Sequence, residues 1–281
     1  MSTTTTTRIA FRRVVLSLAS GDAPGPALEA AAALARWLDA ELLALFVENT
    51  ALYDYARLPF AREIGPGAAW RPLAPERLLD DYLAMAAAVQ RRLRAIAARA
   101  GVPCEFEILR GDPAASLARA AADDLLALLE PADPLARWLP PREVPAAGQL
   151  ILPRRLRRTR GPVVVVVTRP DEAAQTIAAR IAAAAGEELI ALEAERDAAQ
   201  GLPANARRTR CAPTARAAAV ALQARRERLL VVPRSVLSMS KAGILTPDHV
   251  RGQGRTDEAA LADWTRLAAE HGVPLLVVDG A

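Results

Sequence analysis

The order of secondary structure elements repeats along this chain, and the repeat constrains the fold more than any other feature. ILRGDPAASLARAAADDLLALLEP in the first half and RTRCAPTARAAAVALQARRERLLVVP in the second both have the pattern of strand, helix, buried strand and proline. Each half also opens with strand, helix and strand, from RRVVLSLAS to ELLALFVEN and from PVVVVVT to EELIALEA. Because parallel strands need crossovers, this alternation predicts parallel sheets covered by helices on both faces.

The repetition predicts two tandem α/β domains, each a parallel sheet covered by helices on both faces, which is a doubly wound (Rossmann-like) arrangement. The chain has 281 residues, which is enough for two such domains. We predict a flexible tail at residues 1–10, a first domain at 11–156 and a second, shorter domain at 161–281. The boundary falls in RRLRRTRG, whose charge is typical of an exposed linker.

Two segments have clear apolar stripes at helical spacing. PALEAAAALARWLDA places Leu28, Ala31, Ala35 and Leu38 on one face, with Pro26 suited to the first turn. A longer helix is predicted over 75–100, with a stripe of Leu79, Tyr82, Ala86, Val89, Leu93 and Ile96.

Composition limits the cellular context and the partners. Two cysteines are too few for a disulfide framework, and the first residues lack the apolar segment of a secretory signal, so we expect a cytoplasmic protein without a membrane span. The formal net charge of +4 is too small to indicate an acidic partner. RRLRRTR lacks interleaved aromatic residues for base stacking, and we expect no nucleic-acid binding.

Several stretches resemble the universal stress protein family in a tandem-domain form. VVLSLASGDAPGPALEAAAALARWLDAELLALFVEN is similar to the family's opening strand, helix and strand. ILRGDPAASLARAAADDLLALLEP is similar to its Gly-x-Pro-x-x-x-(Ile/Leu)-x-x-Ala helix, which leads into the fourth strand. EEL, RLLVVPRS and HGVPLLVVDG repeat these themes in the second copy. The resemblance covers about residues 12–280 and implies a five-stranded doubly wound fold.

In one branch of the family, the resemblance also implies ATP or AMP binding through a Gly-x2-Gly-x9-Gly-(Ser/Thr) loop after the fourth strand and an Asp at the end of the first. This chain has Ala19 and Thr168 at the Asp positions. After LLALLEP, the first copy has prolines, which supply no N–H donors, and the single glycine Gly148. The first copy therefore resembles a degenerate, non-nucleotide-binding type.

The second copy keeps glycines in its final loop but changes their spacing. Eight residues lie between Gly243 and Gly252, and Arg255 separates Gly254 from Thr256. We therefore expect no bound cofactor. The alternative is an adenine-nucleotide sensor that binds ATP or AMP through the Gly243–Thr256 loop, with Thr256 as the N-cap of the next helix. Lys241, Arg251 and Arg255 would then meet the phosphates.

The segment Asn49 to Leu73, which we call the excursion, concentrates aromatic residues in what the sequence predicts to be a long loop. It contains Tyr53, Tyr55, Phe60 and Trp70. Aromatic residues of this kind dominate protein interfaces, so these four are candidate partner-binding residues, for an unknown protein or for a second subunit. The alternative is that the excursion folds down as a lid over its own sheet or over the other domain.

No group of residues has the pattern of a catalytic or metal site. Asp123 and Asp124 lie at the amino end of a strand, the opposite edge from where this fold binds ligands, so we interpret them as turn residues. Cys104 and Cys211 are expected to be buried apolar residues. Of the two histidines, His271 is interpreted as a helix end, and His249 has no placed nucleophile.

The resemblance implies a stress-response protein, and the residues themselves favour a regulatory or scaffold type that binds proteins without catalysing a reaction. Pairing of the two domains within the chain and a homodimer are both compatible with the repeat.

Overall fold

The computed structural model describes residues 11–18, 23–65, 67–111, 117, 120–130, 146–157, 159–170, 172–196, 198–223, 226–239 and 253–279. In this part of the chain, strands and helices alternate as the sequence predicts. The elements of the first half are β1 (Arg13–Leu18), α1 (Gly25–Leu38), β2 (Glu41–Asn49), α2 (Thr50–Ala56), β3 (Arg62–Ile64), β4 (Trp70–Pro72), α3 (Pro75–Ala100), β5 (Cys104–Gly111), β6 (Leu125–Leu129) and β7 (Gly148–Leu152).

The second half begins again with a strand that is buried on both faces. Its elements are β8 (Val163–Val167), α4 (Ala173–Ala185), β9 (Leu189–Glu193), β10 (Arg207–Arg210), α5 (Ala215–Leu222), β11 (Leu229–Pro233), α6 (Arg234–Met239), α7 (Gln253–His271) and β12 (Leu275–Val278). All five valines of β8 are buried, as expected of a central strand with helices on both sides.

Ten of these strands form one continuous sheet, in the order β10-β9-β8-β11-β12-β7-β6-β1-β2-β5. Neighbouring strands within each run of five are parallel. The two runs meet where β7 and β12 pair antiparallel, with Leu275 opposite Ile151 and Val278 opposite Gly148. The doubly wound α/β fold class is therefore confirmed, and its strands form a single sheet that is larger than the predicted five-stranded unit.

The predicted apolar stripes are the faces that the helices bury. Leu28, Ala31, Ala35 and Leu38 of α1 are each at most 1% exposed. The stripe of α3 is buried from Tyr82 onwards, whereas Leu79 is half-buried.

One hydrophobic core crosses the junction between the two runs of strands. It contains residues of α1 and α3 from the first half and of α4 from the second. The packing of α1 on α4 includes a hydrogen bond from the Arg180 guanidinium to the carbonyl oxygen of Leu38, at 2.7 Å. A second core, under α5, α6 and α7, covers the other face of the second half. The two halves thus share one sheet and one large core.

The excursion is more regular than the sequence predicts. It contains the short helix α2 and an antiparallel hairpin, β3 with β4, which forms a separate two-stranded sheet. The expectation of a long loop was wrong here. The helix predicted in DPAASLARAAA falls mainly on residues outside the described part of the chain; Leu117 and Ala120 are described, and both are buried against β1, β2 and β6. Among the described helices, none has a stretch that is apolar and long enough to cross a bilayer.

Candidate functional site

The carboxyl edge of the sheet in the second half is the place where this fold offers a ligand crevice. β8 and β11 are adjacent there. The chain leaves β8 towards β9 on one side and leaves β11 towards β12 on the other. In open α/β sheets, ligands bind outside the carboxyl ends of strands at such a reversal of strand order.

A buried carboxylate lies at this position. Glu172, which precedes α4, accepts hydrogen bonds from the Thr168 backbone N–H at 3.1 Å and from the Thr168 hydroxyl at 2.6 Å. The Ser235 hydroxyl, at the start of α6, donates to the same carboxylate at 3.2 Å. The Arg169 guanidinium lies 3.3 Å away, and Glu172 is only 6% exposed. We call these four residues the Glu172 cluster.

The cluster was missed at the sequence level, although Thr168 was singled out as the residue in the Asp position. Glu172 engages the N–H of Thr168 and the hydroxyl of Ser235, two donors at the carboxyl edge of the sheet that are therefore not free for a phosphate or ribose. A second anion placed here would also meet the charge of Glu172 at close range. The signal in the sequence was an acidic residue directly before the helix that follows the strand.

The Glu172 cluster has a serine but lacks the partners of a nucleophile. A hydroxyl nucleophile needs a base that is itself oriented by a third group. Within the described residues, the histidine is His271, and its ring contacts the buried carboxylate of Glu227 instead. The described residues also contain no group of three acidic, histidine or cysteine side chains that could bind a metal ion.

Most of the predicted glycine-rich loop lies outside the described residues. The loop residues outside the described part are Lys241, Gly243, His249, Arg251 and Gly252. Ala19 and the corresponding first-half loop at 131–145 also lie outside it. Gly254, Arg255 and Thr256 lie in the first turn of α7, which begins at Gln253. The interpretation of Thr256 as the N-cap was therefore wrong, because the helix starts three residues earlier.

The four aromatic residues of the excursion separate into one inward and three outward side chains. Tyr53 stacks on Tyr82 of α3, with ring centroids 5.8 Å apart, and Tyr82 meets Phe46 edge-on at 6.4 Å. The Tyr53 hydroxyl is buried without a hydrogen-bond partner among the described residues. Burial, with a smaller contribution from the Glu48 carboxylate, raises the pKa of Tyr53. Tyr53 is thus part of the attachment of α2 to α3.

The other three aromatic residues point to solvent together with aliphatic neighbours. Phe60 is 68% exposed and Trp70 is 65% exposed, and Ile64, opposite Trp70 in the hairpin, is 63% exposed. We define the excursion surface by these and the further exposed apolar side chains of the segment: Leu52, Tyr55, Leu58, Phe60, Ile64 and Trp70. The alternative of a lid folded over the sheet fits Tyr53 but not these six.

Polar contacts hold the hairpin in place. The Arg71 Nε donates to the Glu63 carboxylate at 2.6 Å across the two strands, and Arg77 of α3 reaches the same carboxylate at 3.3 Å. The backbone N–H of Leu73 donates to the carbonyl oxygen of Ala61 at 3.1 Å, closing the base of the hairpin. These contacts keep the exposed apolar side chains on a defined scaffold.

The remaining candidates have structural roles. Asp124 is fully buried at the amino end of β6 and is paired with Arg13, while its neighbour Asp123 is exposed. Burial raises the pKa of both Cys104 and Cys211, the opposite of what a reactive thiol requires. RRLRRTR connects β7 to β8, and Arg155, Arg157 and Arg160 are exposed.

Comparison with known proteins supports the fold by structure rather than by sequence. No protein-family model matches the chain, and no curated protein matches its sequence. A universal stress protein from Archaeoglobus fulgidus DSM 4304 is similar in structure, with a TM-score of 0.55 and 13% identity over 97% of this chain and 98% of that chain. A functionally unknown protein from Pseudomonas aeruginosa PAO1 has a TM-score of 0.52 and 15% identity over 97% and 94%. The chain therefore has the α/β fold of a universal stress protein.

Proposed function

We propose that this protein is a non-catalytic stress-response protein of the universal stress type, which acts as a regulatory or scaffold module by binding proteins and does so without bound ATP. The fold shared with the protein from Archaeoglobus fulgidus supports the family. The tandem organisation, with a boundary between residues 156 and 161, and the cytoplasmic location are parts of the same proposal.

The observation that carries the proposal is the excursion surface. Large apolar side chains that are exposed close together often mark protein interaction sites, and Ile64 and Trp70 are opposite one another in the hairpin. Phe60, Ile64 and Trp70 are each more than 60% exposed, and complete burial of one such side chain contributes about 1.5 to 3 kcal/mol. Covering the exposed parts of these three would therefore contribute about 3 to 6 kcal/mol before the costs of association.

The Glu172 cluster supports the absence of a bound nucleotide in the second half. Its carboxylate engages the donors at the carboxyl ends of β8 and β11, where the family's nucleotide-binding branch would place its ligand. If Glu172 were removed, its hydrogen-bond donors would lose their acceptor. The network therefore also stabilises the crevice when no ligand is bound.

Replacement of two exposed aromatic residues tests the binding surface. We expect the double substitution Phe60→Ser with Trp70→Ser to abolish the capture of a specific partner from a lysate of the source cells, or to abolish self-association in sedimentation velocity. Val220→Ser is the matched control, because Val220 is 64% exposed but lies on α5 in the other half. Equal binding by the double variant and the wild type would contradict the proposal.

Release of bound small molecules tests the nucleotide question separately. We expect denatured, freshly purified protein to yield no adenine nucleotide by mass spectrometry, and calorimetric titration with ATP to give no saturable heat. About one adenylate per chain would replace this part of the proposal with the nucleotide-sensor alternative. The two experiments are independent, because the excursion surface and the Glu172 cluster lie on different halves of the chain.

A further inference from the structure

A cavity of about 380 Å³ lies at the junction between the two halves, away from both the excursion surface and the Glu172 cluster. One wall is a half-buried side of α1, with Ala30, Ala33 and Trp37. The floor includes Leu150 of β7 and Leu229 at the start of β11. Its volume is within the range of small-molecule sites, and such sites favour junctions between domains.

Arginine side chains give this apolar cavity a positive character. The Arg228 guanidinium lies over the Trp37 ring, 4.1 Å from the centroid, and 3.3 Å from the Glu187 carboxylate. Burial lowers the pKa of Arg228, and repulsion from Arg160 lowers it further, whereas the Glu187 carboxylate raises it in part.

A second arginine stands at the edge of the cavity. Arg157 lines it, is exposed, and has no carboxylate partner within the described part of the chain. Its backbone is fixed by a hydrogen bond from its N–H to the carbonyl oxygen of Gly272, at 2.9 Å. The acidic residue of the lining, Glu29, lies 3.8 Å from Arg99 of α3, so that its charge is partly offset. Arg157 is therefore available to an incoming anion.

We propose that the junction cavity binds a small amphipathic anion, with its acidic group at Arg157 and Arg228 and its apolar body against Ala30, Ala33 and the edge of Trp37. The Arg157 guanidinium, which has no carboxylate partner among the described residues, can form charge-assisted hydrogen bonds with carboxylate or sulfonate oxygens. Arg228 is shared with Glu187 and adds positive charge beside it. The ligand would contact α1 of the first half and β11 of the second, and its binding would stabilise the junction.

Decanoate is a suitable probe, used well below the concentration at which it forms micelles. We expect calorimetric titration of the full chain to give one saturable site, and decanol, which has no charge, to bind about tenfold more weakly. Arg157→Gln should weaken decanoate binding about tenfold, whereas Arg155→Gln should not change it. Arg155 is the matched control, because it is an exposed arginine of the same segment that does not line the cavity.

Filling the cavity tests the location by an independent route. Ala33→Phe places a ring in the space assigned to the apolar body and should abolish decanoate binding while the circular dichroism spectrum is kept. If this variant does not fold, the two arginine variants decide the question. No saturable binding by the wild type, equal effects of the two arginine substitutions, or loss of binding in the Phe60→Ser, Trp70→Ser variant would each overturn the proposal.

Discussion

The substitution Asp124→Asn tests whether the adjacent residues Asp123 and Asp124 have a structural role and not a catalytic one, as the geometry indicates. Asp124 is 0% exposed. Its carboxylate accepts hydrogen bonds from the Arg13 Nε at 3.2 Å, from the Arg13 Nη2 at 2.8 Å and from the N–H of Ala121 at 2.9 Å. Breaking a buried ion pair by removing one charge costs about 3 to 5 kcal/mol. Asn keeps one oxygen that can accept a hydrogen bond, so we expect a loss of about 2 to 3 kcal/mol.

The pH dependence of this loss follows from the pKa of Asp124. Burial by itself would raise the pKa, but the hydrogen bonds from Arg13 and Ala121 and the charges of Arg13 and Arg12 outweigh it and lower the pKa. Because the folded pKa lies below the unfolded value of about 3.9, the stabilisation is fully present above that pH and is lost as the pH falls through the folded pKa. The difference between wild type and variant should therefore be constant from about pH 7 to 5 and narrow below about pH 4.

Urea unfolding followed by circular dichroism at several pH values measures this difference. Asp123→Asn is the matched control: the neighbouring carboxylate is exposed, and its removal should change stability by less than about 0.5 kcal/mol. A difference below about 1 kcal/mol at pH 7 for Asp124→Asn, or one that grows as the pH falls, would refute the buried ion pair. A lowered pKa is also the opposite of what a general acid needs at neutral pH.

Three further substitutions can be measured by the same unfolding assay. Gly161 has φ +128°, and a Cβ there would lie 1.9 Å from the carbonyl oxygen of Arg226, so Gly161→Ala should destabilise the protein by about 2 kcal/mol or more, and an unchanged midpoint would contradict this contact. Tyr53→Phe removes a buried hydroxyl without a partner among the described residues and should leave stability unchanged or raise it by up to about 1 kcal/mol; a clear loss would indicate a hydrogen bond at that hydroxyl. Thr214 caps α5 by accepting a hydrogen bond from the Ala217 N–H at 3.2 Å, so Thr214→Ala should cost about 1 kcal/mol, while Thr214→Ser should cost less.

Regular hydrophobic patterns made most of the fold predictable from sequence. All four residues of the stripe predicted for α1 are buried, because a stripe at a spacing of 3.6 residues has few other structural uses. The continuous valines of β8 similarly indicated a strand covered on both faces. Such local signals fix the identity and order of the elements, and with parallel crossovers these in turn fix the fold class.

The excursion shows where local patterns are insufficient. Each strand of its hairpin has three residues, which is too short to display a period of two against background. The turn residues Gly65 and Gly67 were visible signals, but two glycines also fit an irregular loop. Whether Tyr53 points inward, and Phe60 and Trp70 outward, depends on contacts with α3. These contacts join residues that are far apart in the sequence.

The Glu172 cluster could not be assembled from sequence for a related reason. Glu172 and Ser235 are 63 residues apart and meet only because β8 and β11 are adjacent in the sheet. The pairing of β7 with β12 is of the same kind: both strands are short apolar runs, and no local feature of either specifies the other as its antiparallel partner. Long-range pairing of this type is decided by which apolar edges remain uncovered when the rest of the sheet has formed.

That pairing determines which surfaces remain for a partner. β7 and β12 would each be an apolar edge in a separate five-stranded unit, and in this chain they cover one another. The edges left at the ends of the sheet are β5 and β10. β10 has the sequence RRTR, so pairing of two β10 edges from two copies of the chain would bring arginines together. β5 presents Glu105 and Arg110 to solvent. Charged edge strands resist the addition of further strands. The association that we propose for the excursion surface would need side-chain burial but no strand pairing.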